Sequence, residues 1–208
     1  MKLIHQSHQI LSTSGGVGSI EQAARTCYKS EDKMEEGSDV ALFERLRKSG
    51  HHAMLEFGDA TVKFITNRGV THELVRHRLC SFAQESTRYC NYGKEKFGKE
   101  ITFIHPVWRN GPIGWKTFLL SLEDAERSYF KLLENGWTPQ EAREVLPNAL
   151  KTEIVVKANL REWRHIFKLR CSGAAHPQIR DLMIRCLCEM NDIFPHVFKD
   201  LAKEHFDV

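Results

Sequence analysis

The chain has 208 residues, 41% of them hydrophobic, with 30 basic and 27 acidic side chains and a net charge of +3. That length suits one domain with a sizeable core, and so balanced a charge argues against a general nucleic-acid binder. No stretch of about 18 apolar residues is present to span a membrane, and Met1–Gln6 lacks the apolar run of a signal peptide, so a cytoplasmic protein is expected.

Residues 2–9 are weakly strand-like, and 18–28 read as a helix. Ser38 can cap a second helix over 39–49, where Ala41, Leu42 and Leu46 make one apolar stripe. Residues 59–66 form a β-rich run with Val62 and Phe64 on one face. Gly69 breaks it, and a short helix over about 70–77 is expected to carry Arg76, His77 and Arg78. Residues 101–105 read as a strand ending at Pro106. The apolar spacing of Trp115, Phe118, Leu119, Leu122, Ala125 and Tyr129 predicts a long amphipathic helix over 112–134, closed by Gly136. Thr138-Pro139 opens a helix ending near Pro147. A strand over 152–158, a helix over 160–170 and a helical tail from Pro177, interrupted at Pro195, complete the chain. Strands and long helices segregate, which predicts an α+β fold with a mainly antiparallel sheet packed with long helices, as a single domain over 1–208. Neither a G-x-G-x-x-G nor a P-loop motif occurs.

The densest chemistry lies in residues 72–92. Arg76, His77 and Arg78 stand together, Ser86 follows after seven residues, and Arg88 comes two later. Fixed cations with short hydroxyl donors suit phosphate oxygens. Of the six cysteines, none forms a C-x-x-C pair, and Cys186 and Cys188 read as core thiols. His72 and His77 are five residues apart, about 140° around a helix, so they cannot share one ion and no metal site is expected.

Arg-His-Arg, seven residues, Ser, with Thr87-Arg88-Tyr89 behind it, resembles the motif of the flavin-dependent thymidylate synthases. Supporting matches are Ser49-Gly50-His51 with Glu56, Arg143-Glu144-Val145-Leu146-Pro147, and Asn159-Leu160-Arg161 with Arg170, so the resemblance spans about residues 20–190. It implies methylation of dUMP to dTMP with FAD as cofactor and NADPH and methylenetetrahydrofolate as co-substrates. It assigns dUMP to Glu73, Leu74, Val75 and Arg76, to Gln84, Glu85, Ser86, Thr87 and Arg88, and to Arg143 and Arg170. Arg170 takes the catalytic role, stabilising negative charge on the uracil imide and so raising electron density at carbon 5. FAD is assigned to His51, Ala53, Glu56, Arg76, His77, Arg78, Gln84, Asn159, Leu160, Arg161 and His165. The family pattern implies a homotetramer with shared active sites and Arg143 supplied by a neighbouring subunit. Glu73 stands where Gln is common, Ala53 where Ser or Thr is frequent, and His165 where Asn is frequent. Two other readings compete. One is a folate-dependent synthase with Cys80 or Cys90 as nucleophile. The other is a non-catalytic nucleotide- or RNA-binding module using Phe82, Tyr89 and Tyr92 as stacking surfaces.

Overall fold

The computed structural model describes residues 1–94, 98–108 and 111–205. The described elements follow the chain as β1 (Lys2–Ile4), β2 (Ser7–Ser14), α1 (Val17–Tyr28), α2 (Ser38–Lys48), β3 (Asp59–Asn67), α3 (Arg68–Leu74), β4 (Ser81–Gln84), β5 (Thr102–Ile104), α4 (Gly111–Glu134), α5 (Pro139–Ala142), β6 (Lys151–Asn159), α6 (Leu160–Arg170), α7 (Pro177–Ile193) and α8 (Pro195–Ala202). A four-stranded antiparallel sheet has the order β2-β3-β6-β4. The α+β expectation holds. The second sheet departs from it: β1 and β5 pair in parallel, Leu3 opposite Phe103.

The chain divides into two compact units, each gathered from separate stretches: Met1–Ser7, Phe64–Arg76 and Phe82–Val155 form the first, and His8–Lys63, His77–Ser81 and Val156–Val208 the second. Strands β3 and β6 contribute residues to both. In β3 every second residue is buried, Ala60, Val62, Phe64 and Thr66, which is the two-residue period the sequence carries.

In the first unit, Ile101, Phe103, Leu122, Tyr129, Ala142 and Leu150 form one apolar cluster. Each large side chain buried there stabilises by about 1.5–3 kcal/mol. Helix α4 ends as expected: Gly136 has φ 86°, and Trp137 N–H closes back onto the Leu132 carbonyl at 3.0 Å. At α5 the Glu141 carboxylate accepts from both the Thr138 amide and hydroxyl, at 2.8 and 2.7 Å. The turn continues as 3-10 helix over Arg143–Val145 before Pro147.

In the second unit, Trp163 and Phe167 of α6 stack at 5.6 Å, and Phe167 meets Phe198 of α8 edge-on at 5.5 Å. Trp163 Nε1 donates to the Ala60 carbonyl at 3.0 Å, so the indole is buried without an unmet donor. Gly58 allows α6 to start where it does. Its carbonyl takes the Leu160 amide at 2.9 Å, and a Cβ there would lie 2.6 Å from Leu160 Cδ1.

Several boundaries differ from the sequence reading. The 2–9 run is two strands, β2 reaching Ser14. Ser38 lies inside α2: Gly37, at φ 76°, is the cap, and the Ser38 hydroxyl accepts from Glu35 N–H and donates to Glu21. Gly69 sits within α3 because Asn67 caps that helix, its side chain accepting from Val70 N–H at 2.8 Å. That shifts α3 toward the N-terminus, and Arg76, His77 and Arg78 fall beyond its end. Strand β4 and the 3-10 turn His52–Phe57 carry no periodic signal long enough to read. Cys186 is a core thiol, whereas Cys188 is exposed.

Candidate active site

All residues assigned to dUMP lie in the first unit except Arg170, and all those assigned to FAD lie in the second except Arg76 and Gln84.

In the first unit, α3 ends at Leu74, and Val75 and Arg76 follow as the chain leaves the helix, Arg76 N–H bonding the Glu73 carbonyl. Leu74 is fully buried, so its side chain packs and only its backbone can face a ligand. Glu73 is half-buried, Val75 and Arg76 are exposed. Gln84 is tied down: its Nε2 donates to Thr71 Oγ1 at 2.9 Å and Thr152 Oγ1 at 3.3 Å. Glu85 pairs at 3.1 Å with Lys151, which Glu153 also holds at 2.6 Å, and accepts from the Tyr92 hydroxyl at 3.2 Å. Ser86 opens a turn in which the Tyr89 and Cys90 amides bond its carbonyl. The exposed Arg88 guanidinium lies over the Tyr89 ring, 5.4 Å from its centre. Arg143 Nη1 donates to Thr87 Oγ1 at 3.2 Å. The resemblance takes Arg143 from a neighbouring subunit; here it meets Thr87 within one chain.

In the second unit, Asn159 caps α6, its Oδ1 accepting from Glu162 N–H at 2.8 Å. Leu160 is wholly buried and its amide donates to the Gly58 carbonyl, so its side chain packs. Arg161, His165 and Lys168 share an exposed face of α6, as their spacing of four and three residues requires. With His52, Leu55, Leu79 and Leu201 they line a cavity of about 500 Å³. Arg161 pairs with Glu56 at 2.7 Å, which brings these two FAD-assigned residues together. His51 and Ala53 are exposed, His51 just before the 3-10 turn and Ala53 within it. Arg78 is exposed.

Between exposed Arg76 and Arg78, His77 is buried at 5% exposure. Arg170 Nε donates to His77 Nε2 at 3.0 Å. His77 Nδ1 faces Glu162 Oε1 at 3.5 Å, and His165 meets the ring edge-on at 5.6 Å. Burial, then Arg170, then His165 push the His77 imidazole down to about 4, so the ring is neutral at physiological pH. Burial raises the Glu162 carboxyl, opposed by His165 and Arg161.

His77, Glu162 and His165 bring one potential ligand atom each within 4.8 Å of one another. The sequence argument against metal weighed His72 and His77 and so missed this set, which has the composition of a two-histidine, one-carboxylate site. Its hydrogen bonding opposes a cation. An arginine Nε can only donate, so His77 Nε2 carries the lone pair and Nδ1 the proton, facing Glu162. A protonated nitrogen cannot ligate, and the adjacent guanidinium repels a second positive charge.

The competing readings lose ground on burial. Burial pushes the Cys80 thiol up to about 12, far from an activated nucleophile. Tyr92 is buried and offers no stacking face to a polymer, whereas Tyr89 is exposed. Glu162 and Lys168 were missed by sequence reasoning. Lys168 had a signal, lying seven residues after Arg161 on the same helix face; Glu162 is set by a tertiary contact that no spacing carries.

The chain resembles known proteins over nearly its whole length. It is 33% identical to the flavin-dependent thymidylate synthase of Corynebacterium diphtheriae over 87% of this chain and 77% of that one. It is 32% identical to that of Geobacter sulfurreducens, over 87% and 80%. Its fold matches the crystal structure of a UMP/dUMP methylase, PolB from Streptomyces cacaoi, bound with 5-Br dUMP, with a TM-score of 0.81, 22% identity and 96% of each chain covered. The family described as thymidylate synthase complementing protein matches residues 9–196. The chain therefore belongs to the flavin-dependent thymidylate synthase family.

Proposed function

We propose that the protein methylates dUMP to dTMP, with methylenetetrahydrofolate as carbon donor, NADPH-reduced FAD as hydride source and no protein nucleophile. One observation carries the reading beyond family membership: a planar guanidinium, Arg170, held at 3.0 Å by a buried neutral imidazole. A rigid fork of that kind can address two atoms of an imide edge and meet the charge that spreads over it when carbon 5 acts as nucleophile. Ser86, Thr87 and Arg88 with Arg143 hold the nucleotide phosphate, through two hydroxyls and two guanidinium groups. Glu73, Leu74, Val75, Arg76, Gln84 and Glu85 complete the dUMP site.

The cavity beside α6 fits a flavin dinucleotide. Leu55, Leu79 and Leu201 offer apolar wall, and Arg161, His165 and Lys168 offer donors and positive charge for a pyrophosphate. His51, Ala53, Glu56, Arg76, His77, Arg78, Gln84 and Asn159 belong to the same assignment. Bound there, FAD would supply the two-electron reduction that turns a transferred one-carbon unit into a methyl group. The chain's share is to bind, to exclude water and to place Arg170. The thiol of Cys80, raised by burial, supports a reaction without a cysteine adduct.

A homotetramer with shared active sites in the cytoplasm belongs to the same proposal. Among the described residues no helix is long and apolar enough to cross a membrane. Sedimentation at four times 24.1 kDa supports the assembly, and a monomeric active enzyme rejects it.

The test is a flavin absorption spectrum of the purified protein with and without dUMP, followed by an assay for dTMP from dUMP, methylenetetrahydrofolate and NADPH. A dUMP-sensitive flavin band and dTMP formation are expected. A colourless protein that binds dUMP without turnover would return the reading to a nucleotide-binding module.

A further inference from the structure

The geometry points to Glu162 as a positioning residue that acts on Arg170 through the His77 imidazole. This rests on the thymidylate synthase reading for its consequence, and on three placed groups for its physics. Arg170 Nε gives its hydrogen to His77 Nε2 at 3.0 Å, and the opposite ring nitrogen looks at Glu162 Oε1 from 3.5 Å. His77 and Glu162 are both nearly excluded from solvent, with side chains 3% and 7% exposed. A neutral imidazole has one N–H and one lone pair, and which nitrogen holds which is decided by its neighbours. Arg170 requires the lone pair at Nε2. A carboxylate, which only accepts, requires the hydrogen at Nδ1. The two demands agree, so Glu162 selects the one tautomer in which His77 can hold the guanidinium. The bond to His77 is made by Nε rather than by the terminal amino groups of Arg170.

Glu162 also stands three residues after the cap Asn159, where a Glu or Gln often serves to close a helix start. That alternative makes the test selective. Gln performs the capping duty as Glu does, so Glu162→Gln keeps the helix while replacing an acceptor-only group by one that can also donate. A Gln amide can turn either its N–H or its oxygen toward Nδ1, so it no longer enforces the hydrogen there and admits the Nε2–H form, which opposes the Arg170 N–H.

The experiment uses the flavin-loaded protein with its histidines labelled with ¹⁵N. In the wild type, His77 is expected to carry its hydrogen on Nδ1; in Glu162→Gln, the hydrogen is divided between Nδ1 and Nε2. The same variant should keep its flavin and its dUMP KM while kcat falls several-fold, as expected for a ring no longer held in one tautomer. Glu162→Asp, which restores an acceptor-only group, should recover the Nδ1–H form and part of the rate. A wild-type ring with its hydrogen on Nε2 overturns the proposal, and that needs no folded variant. So does a Glu162→Gln enzyme with unchanged kcat, or one whose lost rate follows lost flavin. The nitrogen assignment is read without turnover, so a wild-type protein that makes no dTMP rejects the thymidylate synthase reading, while the ring still decides whether Glu162 sets it.

Discussion

The 84–88 segment and the His77–Glu162–Arg170 group both present guanidinium groups, yet in opposite surroundings. Arg88 is exposed and Arg143 half-buried, and both work in a high dielectric where solvent and salt compete. Arg170 rests against a buried ring whose protonation is suppressed, where each donor counts for more. An exposed cation attracts a preformed phosphate charge equally before and during reaction. A held guanidinium can favour charge that exists only in the transition state. The first region should therefore govern binding and the second rate.

The largest break in that comparison is Arg170→Lys. Lysine keeps the charge but loses both the planar fork and the Nε donor that seats on His77. Losing a donor to developing charge typically costs about 3–4 kcal/mol, a factor of roughly 10²–10³ in rate. Flavin content should survive, because Asn159 and Arg161 lie at the other end of α6. Single-turnover methyl transfer with flavin quantified beforehand decides it: near-normal transfer removes Arg170 from catalysis, and joint loss of flavin makes it a cofactor or folding residue.

Arg88→Ala should fall on the other side. A charge-assisted hydrogen bond is worth about 1.5–3 kcal/mol, so the KM for dUMP should rise roughly tenfold to a hundredfold with kcat little changed. Because the site is solvent-exposed, the penalty should shrink as salt rises, while the Arg170 effect should not. A kcat loss matching that of Arg170→Lys would erase the distinction between the regions.

The Arg-His-Arg and Ser86 spacing located the cations, and the alternation in 59–66 and 152–158 located two strands of the sheet, β3 and β6. Helix α6 was legible to the residue because Asn159 is a strong cap and the apolar period is unbroken. What could not be read was which of three adjacent polar residues turns inward. His77 is buried and its two neighbours are not, because α3 stops at Leu74 rather than running to 77. The cap that sets this register, Asn67, lies outside the motif. Glu162 was invisible for a related reason: its role depends on a ring 85 positions away in the chain.

Acid should expose the same buried ring. His77 takes a proton near 6.5 when unfolded and only near 4 when folded. Between those values the unfolded chain binds more protons, so stability falls as pH falls, and above about 6.5 this group adds no slope. Thermal midpoints from pH 7 to pH 4 should therefore drop less steeply in His77→Gln than in wild type. Parallel slopes would place the ring in contact with water.

The smallest effect expected is at the cysteines, and its smallness is the point. A thiol at about 12 is thiolate in roughly one part in 10⁵ at pH 7, too few for Cys80 to open an attack on carbon 6 of uracil. Its thiol is held protonated by burial first and by the field of Glu162 second, the same carboxylate that faces His77. A carboxylate so placed disfavours the thiolate, and so works against a cysteine mechanism, while it faces Nδ1 of the ring that seats Arg170. Replacing Cys80 and Cys90 together by Ser should leave dTMP formation measurable, within a few-fold of wild type after correction for flavin content. A folded, flavin-loaded double variant with no turnover would restore the covalent route, and the buried group would then be a device for thiol chemistry rather than for holding a guanidinium.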